Sequence, residues 1–404
     1  MRLALVCDFV EEKWPSMDLV ADMLLENLCS KSHSGLQVTR VRPRMVWRFS
    51  RLPGFGGKRK AYAVDRLLNR FWDYPRHLAR RRQEQFDLYH IIDHSYGHLV
   101  HQLPSERTIV NCYDIDTFRC LVEPKQEPRS KIFMIMTARI LSGLRRAARV
   151  SCASAATRSE ILKYRILPPE RVVVIPQCVH RAFTPQADRY FDGEAARLLG
   201  PANANAIDIL HVGSNAARKR IDVLLRVTAA VRQDFPQARL TRVGTAFSRS
   251  QQELAESLNL AESLVVLPFV ERQLLAAVYR RAALVMQPSE REGVGLPVME
   301  AMACGTPVVA SDLPALRETG GPSATYCSVG DVPPWTDAVV ELLRERNERP
   351  RRWNERRLAA IAWAARFNTR EYTRKTVQMY EEVLCERQCD YTFDNIIRPR
   401  VQHM

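Results

Sequence analysis

The stretch Ser289–Pro307, SEREGVGLPVMEAMACGTP, sets two glutamates, Glu292 and Glu300, around a glycine-rich turn. The apolar runs LVMQPS before it and TPVVAS after it each predict a buried strand. Because glycines permit tight turns and Pro297 suits a first helical turn, we expect a short helix, LPVMEAMA, ended by Gly305 as a C-cap. A glycine loop at a helix N-terminus attracts phosphate, and a carboxylate there can accept hydrogen bonds from sugar hydroxyls. A plain strand, turn and helix with solvated acids would share this pattern.

The segments on both sides of this stretch predict two α/β domains. Short apolar runs alternate with amphipathic helical stretches in the first half, and the alternation restarts at residue 207. Such alternation predicts parallel strands with helical crossovers, that is, doubly wound sheets. The 404 residues are enough for two cores. We expect Rossmann-like domains over 1–183 and 207–375, a linker over 184–206 and a helical tail over 376–404. Two such sheets in tandem predict a cleft at the carboxyl ends of their strands.

The net charge of +15 is concentrated in residues 40–82, which carry fourteen Lys or Arg against two acids. Aromatic residues such as Trp47 and Trp72 lie among these cations, a mixture typical of surfaces that contact anionic membranes or nucleic acid. A solvated basic loop beside a core helix is the plain interpretation. Because no nucleic-acid fold pattern accompanies the charge, we expect an anionic membrane or an anionic acceptor as partner and no nucleic acid. The candidate residues of this patch are Lys58, Arg59, Lys60, Arg66 and Arg70.

Cysteine usage and hydropathy indicate a cytoplasmic protein. The ten cysteines include no CxxC pair, so we expect neither a disulfide framework nor a zinc site. No apolar run approaches the ~18 residues that span a bilayer. The opening residues MRLALVCDF predict a first strand rather than a signal peptide.

The segment PSEREGVGLPVMEAMACGTPVVAS resembles the glutamate-x7-glutamate pattern of the family-4 retaining glycosyltransferases. The resemblance extends from HVGSNAARKRID through VYRRAALVMQPS to LRETGG, and more weakly to VIPQCV and SAATRSEIL in the first half. It implies the GT-B fold: two Rossmann-like doubly wound domains that face each other across a cleft, the first binding the acceptor and carrying the returning C-terminal helix. It also implies retaining, metal-independent transfer of a sugar from a nucleotide diphosphate sugar to a hydroxyl acceptor. A glycan or lipid-linked intermediate of cell-surface polysaccharide or glycolipid synthesis is the expected acceptor, at the inner face of the membrane.

The resemblance gives the two glutamates separate roles. Glu300 would hold the nucleotide ribose, and Glu292 would contact the transferred sugar and its developing charge. The backbone that would contact sugar and diphosphate comprises Gly293, Val294, Gly295 and Leu296.

The turn after the first strand of the second domain carries the implied phosphate-binding residues. Gly213 and Lys219 match the family's glycine and lysine, but Ser214 stands where an arginine usually follows, so Arg218 is our candidate for the missing guanidinium. Breaking a sugar–diphosphate bond builds negative charge on the leaving oxygen, and without metal it must be stabilised by cations and a helix N-terminus. The nucleotide base is expected near Gly244, Phe269 and Val270.

The first half departs from the family at a catalytic position. Tyr113-Asp114 stands where many members have His-Asp, and a tyrosine of pKa near 10 does not titrate at neutral pH. Either Asp114 and the nearby His94 or His98 take over that role, or the enzyme is weak or altered; a structural histidine is equally consistent with the sequence. Asp114 and Asp116 also form a DxD pattern, which another glycosyltransferase class uses to hold a divalent cation. We expect no metal, because the remaining motifs match the metal-free class.

Two alternative functions stay open. A nucleotide-sugar epimerase can share the two-domain architecture and would convert the donor without an acceptor. A catalytically silent protein that binds sugar nucleotides or membranes would explain the departures at Tyr113 and Ser214.

Overall fold

The computed structural model describes residues 1–29, 35–51, 58–81, 84–200 and 206–397, without the side chains of 15, 58–59 and 387–397. Backbone contacts divide the chain into two compact units. The first comprises Met1–Pro176 and Arg370–Met404, and the second comprises Gln177–Thr369.

The first unit is built on a six-stranded sheet in which every strand pair is parallel. Its strands are β1 Arg2–Val6, β2 Gln37–Val41, β3 Leu88–Ile91, β4 Thr108–Cys112, β5 Arg149–Cys152 and β6 Val172–Val174, in the order β2-β1-β3-β4-β5-β6. Its helices are α1 Pro15–Leu28, α2 Lys58–Leu68, α3 Tyr74–Arg80, α4 Arg119–Val122, α5 Lys131–Leu144 and α6 Ala155–Lys163. Strands β3 and β4 are buried along their whole length, as their apolar runs predict.

The second unit is built on another parallel six-stranded sheet. Its strands are β7 Ile207–Gly213, β8 Ala238–Gly244, β9 Leu264–Leu267, β10 Leu284–Gln287, β11 Val308–Ser311 and β12 Thr325–Cys327. Its helices are α7 Arg189–Leu199, α8 Ile221–Asp234, α9 Arg249–Ser257, α10 Arg272–Arg281, α11 Leu296–Ala303, α12 Pro314–Gly320, α13 Val332–Glu348 and α14 Pro350–Ala364. The strand order is β12-β11-β10-β7-β8-β9, so successive strands are added on one side of β7 up to β9 and on its other side from β10 onward. Open α/β sheets bind ligands at such switch points.

Helix α15, Thr369–Ile397, belongs mostly to the first unit. The hydroxyl of Tyr380 lies 2.6 Å from Nδ1 of His90 on β3, and the other ring nitrogen of His90 lies 2.7 Å from Oδ1 of Asn111 on β4. Arg149 on β5 pairs with Glu386. Neither this 29-residue helix nor any other helix within the described ranges is long and apolar enough to cross a membrane.

The segment predicted as a linker differs from the prediction. Residues 189–199 form α7, whose side chains Ala195 and Leu199 are buried in the core of the second unit. Asp188 caps this helix by accepting hydrogen bonds from the backbone N–H groups of Tyr190 and Phe191. The many polar residues of this segment are explained by an amphipathic helix with one buried face. Residues 201–205 of the predicted linker lie outside the described residues.

Candidate functional site

The strand–loop–helix predicted around the two glutamates is present at the switch point of the second sheet. Strand β10 ends at Gln287, and helix α11 spans the predicted LPVMEAMA. Gly295 immediately before α11 has φ 87°, and a Cβ there would lie 2.5 Å from Cδ2 of Leu316. Gly305 has φ 74° directly after the C-cap Cys304. Both glycines therefore occupy positions that a side chain would strain.

Glu292 is held in a buried ring of donors, with its side chain 8% exposed. Its Oε1 accepts hydrogen bonds from Nζ of Lys219 at 2.5 Å, from Nε2 of Gln287 at 2.7 Å and from Oγ of Ser289 at 2.7 Å. Its Oε2 lies 3.5 Å from Nη1 of Arg218. The sequence analysis predicted that Glu292 and both cations serve one site, and the structure brings them together.

The environment keeps Glu292 ionised. Burial alone would raise the pKa of its carboxyl, but the charges of Lys219 and Arg218 and the hydrogen bonds from Lys219 and Ser289 lower that pKa to about 2. Gln287 and Ser289 were missed as functional residues. A polar glutamine at the end of a fully buried strand was the available signal, since such a group needs a partner.

Glu300 is the fifth residue of α11 and is 8% exposed. Its Oε2 accepts a hydrogen bond of 2.8 Å from the hydroxyl of Tyr279 on α10. Burial raises the pKa of Glu300 to about 7, against the lowering effects of the Tyr279 hydrogen bond and the charge of Arg272. A buried carboxyl that titrates near neutrality is a frequent property of functional sites. Sequence reasoning did not find Tyr279.

The ends of β7 and β8 approach closely beside these glutamates. Gly213 and Gly244 are register partners, and a Cβ on Gly244 would lie 2.0 Å from the carbonyl oxygen of Gly213. The following loops are tied together by Asn215, whose N–H donates to Oγ1 of Thr245 at 2.8 Å. Ser214, half-buried in the first loop, accepts a weak 3.5 Å contact from the N–H of Ala216.

The remaining predicted base-binding residues lie at the edge of the same sheet. Phe269 and Val270 follow β9, the edge strand next to β8. Phe269 is 47% exposed, so its ring is not core packing, whereas Val270 packs partly against the core. Gly293 and Val294 are buried in the loop before α11, and Leu296 opens that helix.

In the first unit the structure brings His94 and Asp114 together. Nε2 of His94 lies 3.8 Å from Oδ1 of Asp114 and 3.2 Å from Oγ1 of Thr117. Nδ1 of His94 lies 3.5 Å from Oδ1 of Asp93. Asp93 was missed, although its position two residues after β3 matches that of Asp114 after β4. Aspartates at equivalent strand ends meet at one edge of a parallel sheet.

A second missed acid, Asp8, stands two residues after β1 and hydrogen-bonds to Asp93. Burial raises the pKa of Asp8 well above its usual range, and the neighbouring Asp93 charge raises it further. Burial would also raise the pKa of Asp93, but His94, hydrogen bonds from Ser95 and the charge of Arg70 lower it. Asp8 therefore keeps its proton to a higher pH than Asp93 does.

Tyr113 and Asp116 have structural partners. The hydroxyl of Tyr113 accepts a 3.0 Å hydrogen bond from Asn111, and burial raises its pKa well above its ordinary value, so it stays neutral. Oδ1 of Asp116 accepts from Nε of Arg119 at 2.9 Å. The second acid of the DxD pattern is thus engaged by an arginine, and no group of three His, Cys, Asp or Glu within the described ranges is placed to hold a metal.

The described side chains of the predicted basic patch, those of Lys60, Arg66 and Arg70, differ in exposure. Arg70 is 8% exposed, donates to the carbonyl of Ser95 at 2.6 Å and stacks 4.3 Å from the ring of Tyr96, so its assignment to an exposed patch is wrong. Arg66 pairs at 2.7 Å with the buried Glu12. Lys60 is exposed. The side chains of Lys58 and Arg59 lie outside the described residues.

Two family models match the chain. Residues 35–183 match the family model described as Glycosyltransferase Family 4, and residues 206–345 match that described as Glycosyl transferases group 1. The chain belongs to the family 4 glycosyltransferases. Two similar relatives are a D-inositol 3-phosphate glycosyltransferase of Kineococcus radiotolerans, 33% identical over 57% of this chain and 58% of the relative, and an O-antigen chain mannosyltransferase B of Escherichia coli, 25% identical over 70% and 72%.

Solved structures of other proteins share the fold. HepE of Anabaena, solved in complex with UDP and glucose, aligns with a TM-score of 0.69 at 15% identity, over 95% of this chain and 100% of its own. The predicted GT-B class is confirmed as two parallel six-stranded α/β sheets. The first relatives are matched over little more than half of their length, 58% and 54%.

Proposed function

We propose that the protein is a retaining glycosyltransferase that moves a sugar from a nucleotide diphosphate sugar to a hydroxyl acceptor. One observation carries the proposal: the buried, ionised Glu292 is held by Lys219 and Arg218 directly before a glycine loop and a helix N-terminus. Membership of the family supports the reaction class.

The donor would be held by the switch-point loops of the second unit. Its diphosphate would contact the N–H groups of the loop 293–296, where the α11 dipole favours negative charge. Lys219 and Arg218 would offset the charge that develops on the leaving oxygen, so this step needs no metal ion. Glu300 would accept hydrogen bonds from the ribose hydroxyls, and Phe269 has the exposed ring surface to stack on a base.

Retention would follow from attack on the face that the diphosphate leaves, with a phosphate oxygen taking the acceptor proton. The three hydrogen bonds to Oε1 of Glu292 and its pKa of about 2 make it a weak nucleophile. This favours a role in stabilising positive charge on the sugar over a covalent double displacement.

The acceptor would be a hydroxyl of a glycan or lipid-linked intermediate, bound by the first unit. The names of the two relatives support hydroxyl acceptors as a class, since one names an inositol phosphate and the other an O-antigen chain. His94 and Asp114 are the candidates to orient the hydroxyl. Exposed Lys60 and Trp72, the latter 56% exposed, support peripheral contact with an anionic membrane at its cytoplasmic face.

A ligand panel tests this proposal. The full chain is screened by thermal shift with UDP, GDP, ADP and their sugars, because a bound nucleotide raises the melting temperature by mass action. The selected donor is then incubated with and without lipid and glycan extracts, and products are read by NMR. We expect transfer with retained anomeric configuration only with an acceptor. A converted sugar nucleotide without acceptor would indicate an epimerase, and binding with neither transfer nor hydrolysis a silent binding protein.

A further inference from the structure

Strands β7 and β8 carry two buried basic side chains beneath the candidate donor site. His211 on β7 and Arg242 on β8 are register partners, and Gly213 and Gly244 follow two residues later as the next pair on the same face. Both side chains are fully buried. The imidazole lies against the glycine turn, since Cε1 of His211 would be 3.3 Å from a Cβ on Gly213.

The guanidinium of Arg242 joins the two loops that follow these strands. One terminal nitrogen donates to the carbonyl of Thr245 after β8, and the other lies 3.4 Å from the carbonyl of Gly213 at the end of β7. The ring of Phe247 covers it at 5.0 Å. Arg242 is therefore placed to hold both loops in one arrangement.

Arg242 has no acidic partner in the described part of the chain: none of the ion pairs there includes it, and burial is the one cause that lowers its pKa, to about 10. Buried Lys219, by contrast, pairs with Glu292, and buried Arg70 with Glu12. A buried charge without a counter-charge is costly and calls for an explanation.

His211 cannot supply the missing compensation. Neither of its ring nitrogens has a hydrogen-bond partner within the described residues. Burial, together with the charges of Arg242 and Lys219, lowers the pKa of His211 to about 3, so the ring is neutral. Glu292 does not compensate Arg242 either: it pairs with Lys219 and acts on His211, but burial is the one influence on Arg242.

We propose that Arg242 is a positioning residue for the donor. Its guanidinium, with His211 beside it, holds the carbonyls of the loops after β7 and β8. Its buried charge favours the binding of ligands that carry a diphosphate. This inference rests on the proposed function. The guanidinium lies against the carbonyls of Thr245 and Gly213, so it would act on the donor through these two loops. Its uncompensated charge is offset when a phosphate anion binds above Gly213, so Arg242 contributes to anion affinity more than to the stability of the unliganded chain.

The test compares Arg242→Met with Arg232→Met in the full chain. Arg232 also donates to a backbone carbonyl, that of Ala238 at 2.6 Å, but at the opposite end of β8. Affinity is measured by calorimetry for inorganic pyrophosphate, for the nucleoside diphosphate selected by the panel, and for the matching nucleoside without phosphate. We expect Arg242→Met to weaken pyrophosphate and nucleoside diphosphate at least tenfold and to leave the nucleoside within twofold. Arg242→Lys, which keeps the charge, is expected to restore part of the loss, and Arg232→Met to change none.

Each result decides between the inference and the proposed function. Equal weakening of all three ligands by Arg242→Met, or none, overturns the inference and leaves a structural role. If the wild type binds pyrophosphate through Arg242 but turns over no sugar nucleotide, the inference holds and the proposed function fails. A wild type that binds neither pyrophosphate nor nucleotide overturns both. Melting temperatures without ligand identify a variant that fails to fold, in which case Arg242→Lys alone decides by the ratio of pyrophosphate to nucleoside affinity.

Discussion

At the scale of single residues, the Lys219–Glu292 pair has a stability role that can be measured without any substrate. Both side chains are about nine-tenths buried, so removing one charge leaves the other without its partner. We expect Lys219→Met to destabilise the fold by about 3 kcal/mol, and the double variant Lys219→Met/Glu292→Gln to recover part of that loss. Urea unfolding of the double-mutant cycle measures the coupling. The exposed pair Arg344–Asp234 is the control, with an expected coupling below about 1 kcal/mol.

Glu300 predicts a pH dependence of nucleotide binding. Its pKa of about 7 means that the carboxylate, the form that accepts hydrogen bonds from ribose hydroxyls, appears as pH rises through 7. Affinity for the nucleoside diphosphate should therefore increase about tenfold from pH 6 to pH 8, and then level off. Calorimetry at both pH values measures this. Glu300→Gln should bind more weakly at pH 8 and lose this part of the dependence, and an unchanged profile in that variant would contradict the assigned role.

At the scale of secondary-structure elements, two glycine substitutions should have opposite outcomes, one at the close approach of β7 and β8 and one in α7. Gly244→Ala places a Cβ 2.0 Å from the Gly213 carbonyl, so the strand ends must separate and nucleotide affinity should fall at least tenfold. Gly193 lies exposed within α7 with no atom within 4 Å of its added Cβ, so Gly193→Ala should stabilise the fold by up to about 1 kcal/mol. Thermal unfolding and calorimetry check both variants. Destabilisation by Gly193→Ala would contradict the helix at 189–199.

At the same scale, some strands and helices could be predicted from the sequence and others could not. Buried central strands such as β3, β4 and β10 were recognisable from short, mainly apolar runs. The two strands that were missed, β2 with sequence QVTRV and β12 with TYC, are half-exposed edge strands whose mixed composition gives no such run. Helix α7 was missed because a polar amphipathic helix with a central glycine resembles a linker in composition.

The candidate site was likewise predicted only in part, because local motifs contain some of its residues and tertiary packing places the others. Glu292, Lys219 and Glu300 are encoded in local motifs, whereas Tyr279 and Arg242 reach their sites through tertiary packing that no local pattern describes. Arg70 was misplaced because composition alone does not show which arginine of a basic run is turned inward.

At the scale of the whole molecule, buried histidines make the fold sensitive to acid. Burial lowers the pKa of His90 to about 4, against its hydrogen bond with Asn111, so folding favours the neutral ring. This stability is present above the unfolded pKa of about 6.5 and is lost as pH falls towards 4. We expect His90→Gln to remove about 2 kcal/mol of the stability difference between pH 7 and pH 5. Urea unfolding at both pH values tests this, and an unchanged difference would contradict a neutral His90 linking β3 to α15.

The central claim is that the second unit binds an activated sugar donor and acts on it through Glu292. The most direct test measures diphosphate-nucleotide release from the selected sugar donor by wild type, Glu292→Gln and the exposed control Glu341→Gln. The account predicts that Glu292→Gln loses at least about a hundredfold in turnover. In the control Glu341→Gln, the melting temperature and the nucleotide affinity should be unchanged from wild type. Turnover in Glu292→Gln equal to that of wild type would contradict the account.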